Sequence, residues 1–218
     1  GYGICTYLVK SEEVDGRAFL DIWEKREQER REEKKSLEDA YVRLARRSLE
    51  SYITKKERIL WEDVKGEILA SEGAETEEHL SHQRAGAFVS LHKQGQLRGC
   101  IGTIMATRDS IADEIIENAI SASTRDPRFS PVTADELSEL EYSVDILGET
   151  EPVSSEKELD VRRYGVIVTK GMKRGLLLPN LDGVDTVEEQ LKIAKQKAGL
   201  SPEEKGCTLE RFEVVRHL

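Results

Sequence analysis

An arginine, a thiol and two glycines share one short segment of this chain, Leu97-Arg98-Gly99-Cys100-Ile101-Gly102-Thr103. Those types suit either nucleophilic chemistry or close packing. A thiolate is the reactive form of cysteine, and a fixed cation nearby favours it over the thiol. At the two-residue period of a strand, Arg98, Cys100 and Gly102 point to one face, and Leu97, Gly99, Ile101 and Thr103 to the other. Leu97 and Ile101 mark the expected core face, which leaves Arg98 beside Cys100. Cys100 then reads as a candidate nucleophile, with His92 the nearest base in sequence; the alternative is a small residue chosen for packing. Gly99 and Gly102 let another backbone or a ligand approach the strand, or mark a bulge.

A second charged group follows in Asp126-Pro127-Arg128-Phe129. Arginine pairs bidentately with planar anions, so Arg98 and Arg128, with Asp126 and Thr103 near them, could hold a carboxylate or phosphate. Asp126 could equally tie up Arg98 or Arg128 in a structural ion pair. His79 and His82 lack the further ligands a metal needs, and read as part of a solvated segment. Cys5, Cys100 and Cys207 are too scattered for a metal or iron-sulfur motif, so no cofactor is read here. An odd number of separated cysteines fits reduced thiols in a cytoplasmic protein.

These residues need elements to hold them. At 218 residues and 38% hydrophobic content the chain can bury a sizeable core, and its net charge of −10 argues against a nucleic-acid partner. No apolar run approaches a membrane span, and no signal peptide is indicated. Residues 87–92 and 97–103 flank a turn-rich spacer and read as a β-hairpin, with the cysteine segment as its second strand. Ser36 is the expected N-cap of a helix whose stripe is Leu37, Tyr41, Leu44, Ala45, Ser48, Leu49 and Tyr52. A second helix is expected over residues 110–124, with loop and short helix around 62–83. Leu140, Tyr142, Val144 and Ile146 alternate with polar residues, as in a half-buried strand. Residues 164–169 and 175–178 read as another pair of strands, and Gly171 to Gly175 as a tight turn, being wrongly arranged for a phosphate loop. Thr133-Ala134-Asp135-Glu136 and Thr186-Val187-Glu188-Glu189 have capping-box spacing, the second opening a helix that Gly199 ends. Residues 209–215 close the chain as a strand. This order favours an α+β fold with largely antiparallel sheet. Residues 1–35 differ, pairing a short apolar segment with a dense charged run that reads as a connector.

Five segments in this order resemble the AMMECR-one-like domain family, including its prokaryotic proteins of the AmmeMemoRadiSam system: Gly86-Ala87-Phe88-Val89-Ser90-Leu91, residues 97–103, Asp126-Pro127-Arg128-Phe129, Gly175-Leu176-Leu177-Leu178-Pro179-Asn180 and Lys197-Ala198-Gly199. The resemblance implies an α+β fold with a curved or barrel-like antiparallel sheet, packed helices and two similar β-rich halves over residues 36–218. It also implies that residues 1–35 are the tail and linker of a preceding domain of the Memo and extradiol-dioxygenase type. A Memo-like protein and a radical S-adenosylmethionine protein are the implied partners, and the radical chemistry belongs to the partner. Two functions follow as expectations: a domain binding a small anionic ligand near residues 97–103, or a non-catalytic interaction domain of that system.

Overall fold

The computed structural model describes residues 17–181 and 183–218, so the apolar segment at residues 2–9 and Cys5 lie outside the described residues. Gly1–Leu37 and Glu38–Leu218 are two separate compact units. The described part of the first is one helix, α1 (Arg17–Leu37). Its charged length is laced by pairs such as Lys25 with Glu29 and Arg30 with Glu27, while Phe19, Leu20, Ile22 and Trp23 are exposed near its start.

The second unit opens with α2 (Ala40–Lys55), capped by Asp39 rather than Ser36. The Asp39 carboxylate accepts the N–H groups of Tyr41 and Val42, whereas Ser36 Oγ donates back to the Glu33 carbonyl inside α1. The stripe of α2 is buried from Tyr41 to Leu49 as its spacing predicts, Tyr52 is partly buried against the same core, and Leu37 belongs to α1 and is exposed. Residues 62–83 are more helical than their mixed composition suggests, forming α3 (Trp61–Glu72) and α4 (Ala74–His82) around buried Trp61, Val64, Ile68 and Leu80. Next come β1 (Ala87–Lys93), β2 (Gln96–Gly102), α5 (Ile111–Thr124) and β3 (Leu140–Leu147). A short strand, β4 (Glu151–Val153), precedes β5 (Gly165–Lys170), β6 (Lys173–Leu177) and α6 (Val187–Lys197). The chain ends in β7 (Thr208–Phe212) and β8 (Val214–His217).

These strands form two four-stranded sheets of order β2-β1-β3-β8 and β4-β7-β5-β6, every pairing antiparallel, and among the described residues no sheet closes into a barrel. The fold is α+β. Its halves repeat one plan: a hairpin, a helix returning over it, then a strand pairing with the hairpin's first strand. That is β1-β2-α5-β3 in the first half and β5-β6-α6-β7 in the second. Each helix meets its hairpin at a glycine. A Cβ on Gly99 would lie 2.3 Å from the Ala122 carbonyl oxygen of α5, and one on Gly175 would lie 2.2 Å from the Ala194 carbonyl oxygen of α6.

The closing strand differs from its expected form. Residues 209–215 are not one strand: the chain breaks at Glu213, so that β7 joins the second sheet and β8 the first. The cluster Leu147, Ile167, Leu176 and Phe212, with Phe88, Ile104, Leu178 and Val214, fills the seam between the halves. The larger core lies around α2, α5 and the first sheet. β3 is central in its sheet and buried on both faces, Ser143 and Asp145 included, rather than half-buried. Arg216 neutralises the Asp145 carboxylate there, donating through Nε at 2.7 Å.

Candidate functional site

Two residues, Gln94 and Gly95, both at positive φ, turn the hairpin between β1 and β2. Such two-residue turns match the twist of paired strands. Pairing runs regularly from Phe88 opposite Gly102 to Leu91 opposite Gly99, then shifts so that His92 faces Leu97 and Arg98 has no partner. A bulge of this kind reverses the alternation of side chains beyond it. Ile101 and Gly99 keep the face toward α5, but Leu97 does not: it is 38% exposed and belongs to the Cys100 side. The bulge also redirects Arg98 away from the thiol. Its Nε and Nη2 donate to the two Glu136 carboxylate oxygens at 2.9 Å each, and Nη1 donates to the Ser130 carbonyl. Arg98 pushes the Glu136 carboxyl down to about 2, helped by Thr133 N–H and Lys93 against the effect of burial.

Directly opposite residues share a face of an antiparallel sheet, so Cys100, Ser90 and Ser143 form one polar row across β2, β1 and β3. Ser90 Oγ donates to the Cys100 sulfur at 3.2 Å. Ser90, not His92, is therefore the neighbour of the thiol; His92 sits one row further along, between Glu141 and Leu97.

The free edge of β2 is closed by Asp126 and Arg128. The carboxylate accepts the Cys100 N–H at 2.9 Å, and Arg128 Nη2 donates to the Cys100 carbonyl at 3.3 Å. Arg128 also donates to the same carboxylate through Nε at 3.0 Å and Nη2 at 2.7 Å. This pair does for Cys100 what a further strand would do, satisfying both backbone groups of an edge residue. The Arg128 guanidinium holds the buried Asp126 carboxyl well below the usual carboxylate range, with the Cys100 and Arg128 N–H groups adding to it. Arg128 itself stays half exposed, its side chain 55% accessible.

One functional candidate escaped the reading of the residues. Lys197, in the last turn of α6, falls on the helix line of buried Gln190 and Ala194. Its ammonium lies within electrostatic reach of Cys100 and Arg128. Burial by surrounding protein lowers its pKa, Cys100 opposes this, and the Arg128 charge adds to the lowering. Lys197 is nonetheless exposed to solvent. It has no carboxylate or hydrogen-bond partner among the described residues. The signal available in sequence was the segment Lys197-Ala198-Gly199, singled out for family likeness but given no role.

The structure thus brings together Cys100, Asp126 and Arg128, with Ser90 added and Lys197 within electrostatic reach. Thr103 turns away, donating to Glu114 at 2.7 Å on the α5 side. The space beside Gly99 is taken by α5 and that beside Gly102 by the Phe88 ring, so protein rather than ligand fills both. His79 hydrogen-bonds the Tyr41 hydroxyl at 2.6 Å. Among the described residues no group of three His, Cys, Asp or Glu side chains could hold a metal ion. Among the described residues no helix is long and apolar enough to cross a membrane.

Fold and site define an α+β protein of duplicated hairpin-helix-strand plan, with a thiol on the edge strand of one half held by an aspartate-arginine pair, and a lysine of the other half within electrostatic reach. The AMMECR1 family model matches residues 42–217, and the chain belongs to that family. A protein of Clostridium acetobutylicum is 48% identical over 217 residues, all of this chain but 43% of that protein. The chain therefore spans less than half the length of that relative. A Thermotoga maritima protein is 49% identical over 181 residues, covering 83% of this chain and 98% of that protein. The crystal structure of an uncharacterized Pyrococcus horikoshii protein superposes with a TM-score of 0.69 at 29% identity, covering 83% of this chain and 90% of that one.

Proposed function

We propose that this domain binds a small anion, a carboxylate or a phosphate, on the Cys100 face of β2. One observation carries the reading: the Arg128 guanidinium, tied to Asp126 and to the Cys100 carbonyl, stays half exposed beside the thiol, and Lys197 of a separate element lies within electrostatic reach of both Cys100 and Arg128. Two cations held close repel each other, and a ligand anion between them relieves that repulsion. Arg128 is oriented by Asp126, and its exposed edge keeps donors for a planar anion. Arg98 and Thr103 do not enter this site, being committed to Glu136 and Glu114.

The test is thermal unfolding in inorganic phosphate and in malonate, for the wild type and Lys197→Gln. Ligand binding to the folded state alone stabilises by about 2.7 kcal/mol at a hundredfold excess over Kd. The wild type gains that increment over the variant. Phosphate also strengthens burial in any protein, so the difference between the two proteins is the readout. Equal shifts in both proteins overturn the reading.

A second reading is favoured by the Clostridium relative, in which a match to this whole chain covers 43% of the protein. There the domain works inside a longer chain. In this reading residues 1–35 are the tail and linker of a Memo-like domain, residues 36–218 form the AMMECR1 module, and that module is a non-catalytic, cytoplasmic partner of a Memo-like and a radical S-adenosylmethionine protein. Co-purification of the three supports it; their separation on a sizing column at micromolar concentration opposes it.

A further inference from the structure

We propose that the outer line of α5 carries a phosphate site, in which Arg58, Arg108 and Arg125 bind a phosphate group, free or esterified, in competition with the Glu117 carboxylate. This goes beyond the anion-binding reading of the Cys100 face. α5 covers the Gly99 side of β2, and Cys100 points to the other side of that sheet.

Between Ile111 and Ser123 every residue is buried except Asp113 and Glu117, so α5 shows solvent one narrow line, with these two carboxylates about one turn apart. Three arginines reach that line from three segments: Arg58 from the connection after α2, Arg108 from the connection before α5, and Arg125 from the C-cap of α5. Arg58 Nε and Arg108 Nη2 lie 3.6 and 3.8 Å from the same oxygen, Glu117 Oε2, while Arg125 Nη1 donates to Oε1 at 3.1 Å. Arg58 Nη2 also lies 3.6 Å from Asp113 Oδ1. Asp109, beside Arg108 in sequence, joins none of these pairs.

Two features set this cluster apart from the other ion pairs. Its charge is out of balance, since three guanidiniums gather on one carboxylate and Asp113 touches only one of them, in a protein whose net charge is −10. Its donors are also unspent. The approaches of Arg58 and Arg108 are too long for hydrogen bonds, and among the described residues their guanidiniums make no others, although the side chains are 37% and 45% exposed. Arg98, Arg128 and Arg216, by contrast, each place two donors on one carboxylate. A phosphate carries more oxygens and more charge than Glu117, and offers an acceptor to each of three forks that converge from different segments.

The experiment titrates inorganic phosphate into the nitrogen-15-labelled full chain at pH 8, where phosphate is doubly charged, against chloride of equal ionic strength. The backbone amide signals of Arg58, Arg108 and Arg125 shift saturably with phosphate and not with chloride. Arg108→Gln weakens the binding by about fivefold and Glu117→Gln tightens it by about fivefold, the effect of one charge at about 4 Å in water. Arg58→Gln repeats the weakening, should Arg108→Gln lose its folded spectrum. Glycerol phosphate binding as tightly as inorganic phosphate supports an esterified ligand, and binding of inorganic phosphate alone supports the free ion. Malonate binding as tightly as phosphate at these amides overturns the phosphate assignment. Absence of a saturable shift there, or an affinity that Glu117→Gln leaves unchanged or lowers, overturns the site, and the arginines then only brace α5.

Discussion

Asp126 shows how much one carboxylate does at this site. It accepts the Cys100 N–H, the Arg128 N–H and two guanidinium contacts, so removing it strands a strand-edge amide and a half-buried cation at once. Asp126→Ala lowers stability by about 2–4 kcal/mol in urea unfolding, since orphaned partners of a buried charge are costly. Glu136 gives the matching pH prediction. Its folded pKa is depressed from 4.5 to about 2, so its stabilising contribution is complete above 4.5 and is lost as pH falls toward 2. Between those values the wild type loses stability more steeply than Glu136→Gln, as acid titrations of the unfolding midpoint will show. Sequence reading placed Asp126, Arg128 and Cys100 among the candidates, but assigned Arg98 to the thiol. The physical reason is one unpaired residue in a ladder: nothing in the types Leu97, Arg98 and Gly99 marks a bulge. Serine is common on strands, so Ser90 gave no signal either.

At the scale of elements, periodicity served best where one face meets a core. The hairpin of β1 and β2, the helix α5, and the capping boxes at Thr133 and Thr186 lie where their residues predict. Helix starts proved harder, because Ser36 and Asp39 are both good caps and only packing chooses between them. Glycines carry the helix-sheet contacts. Gly99→Ala drives a methyl to 2.3 Å from the Ala122 carbonyl, and lowers stability by about 1–3 kcal/mol as overpacked sites do. Gly66→Ala, in α3 with open space around it, moves the denaturation midpoint the other way, by about 1 kcal/mol of helix propensity. The two variants together separate backbone approach from glycine's intrinsic cost.

Across the whole compact unit from Glu38 to Leu218, duplication explains both the fold and the site. Two hairpin-helix-strand halves meet on an apolar seam, and the switch of sheets at Glu213 ties them through consecutive strands. The antiparallel α+β class was legible in the order of elements, and the two similar halves came only as what the family resemblance implies. The approach of Lys197 to within electrostatic reach of Cys100 was not, because it depends on how one half sits against the other, and no local pattern records that. The account rests on this approach: Arg128 and, from the second half, Lys197 put positive charge within electrostatic reach of the Cys100 thiol. Alkylation of the native protein by iodoacetate, which is anionic, and by iodoacetamide, which is neutral, tests it most directly, with Cys207 as internal reference. The account predicts a higher iodoacetate-to-iodoacetamide rate ratio at Cys100 than at Cys207, falling to the Cys207 value in Lys197→Gln. A ratio at Cys100 no higher than at Cys207, or unchanged by the substitution, would contradict it.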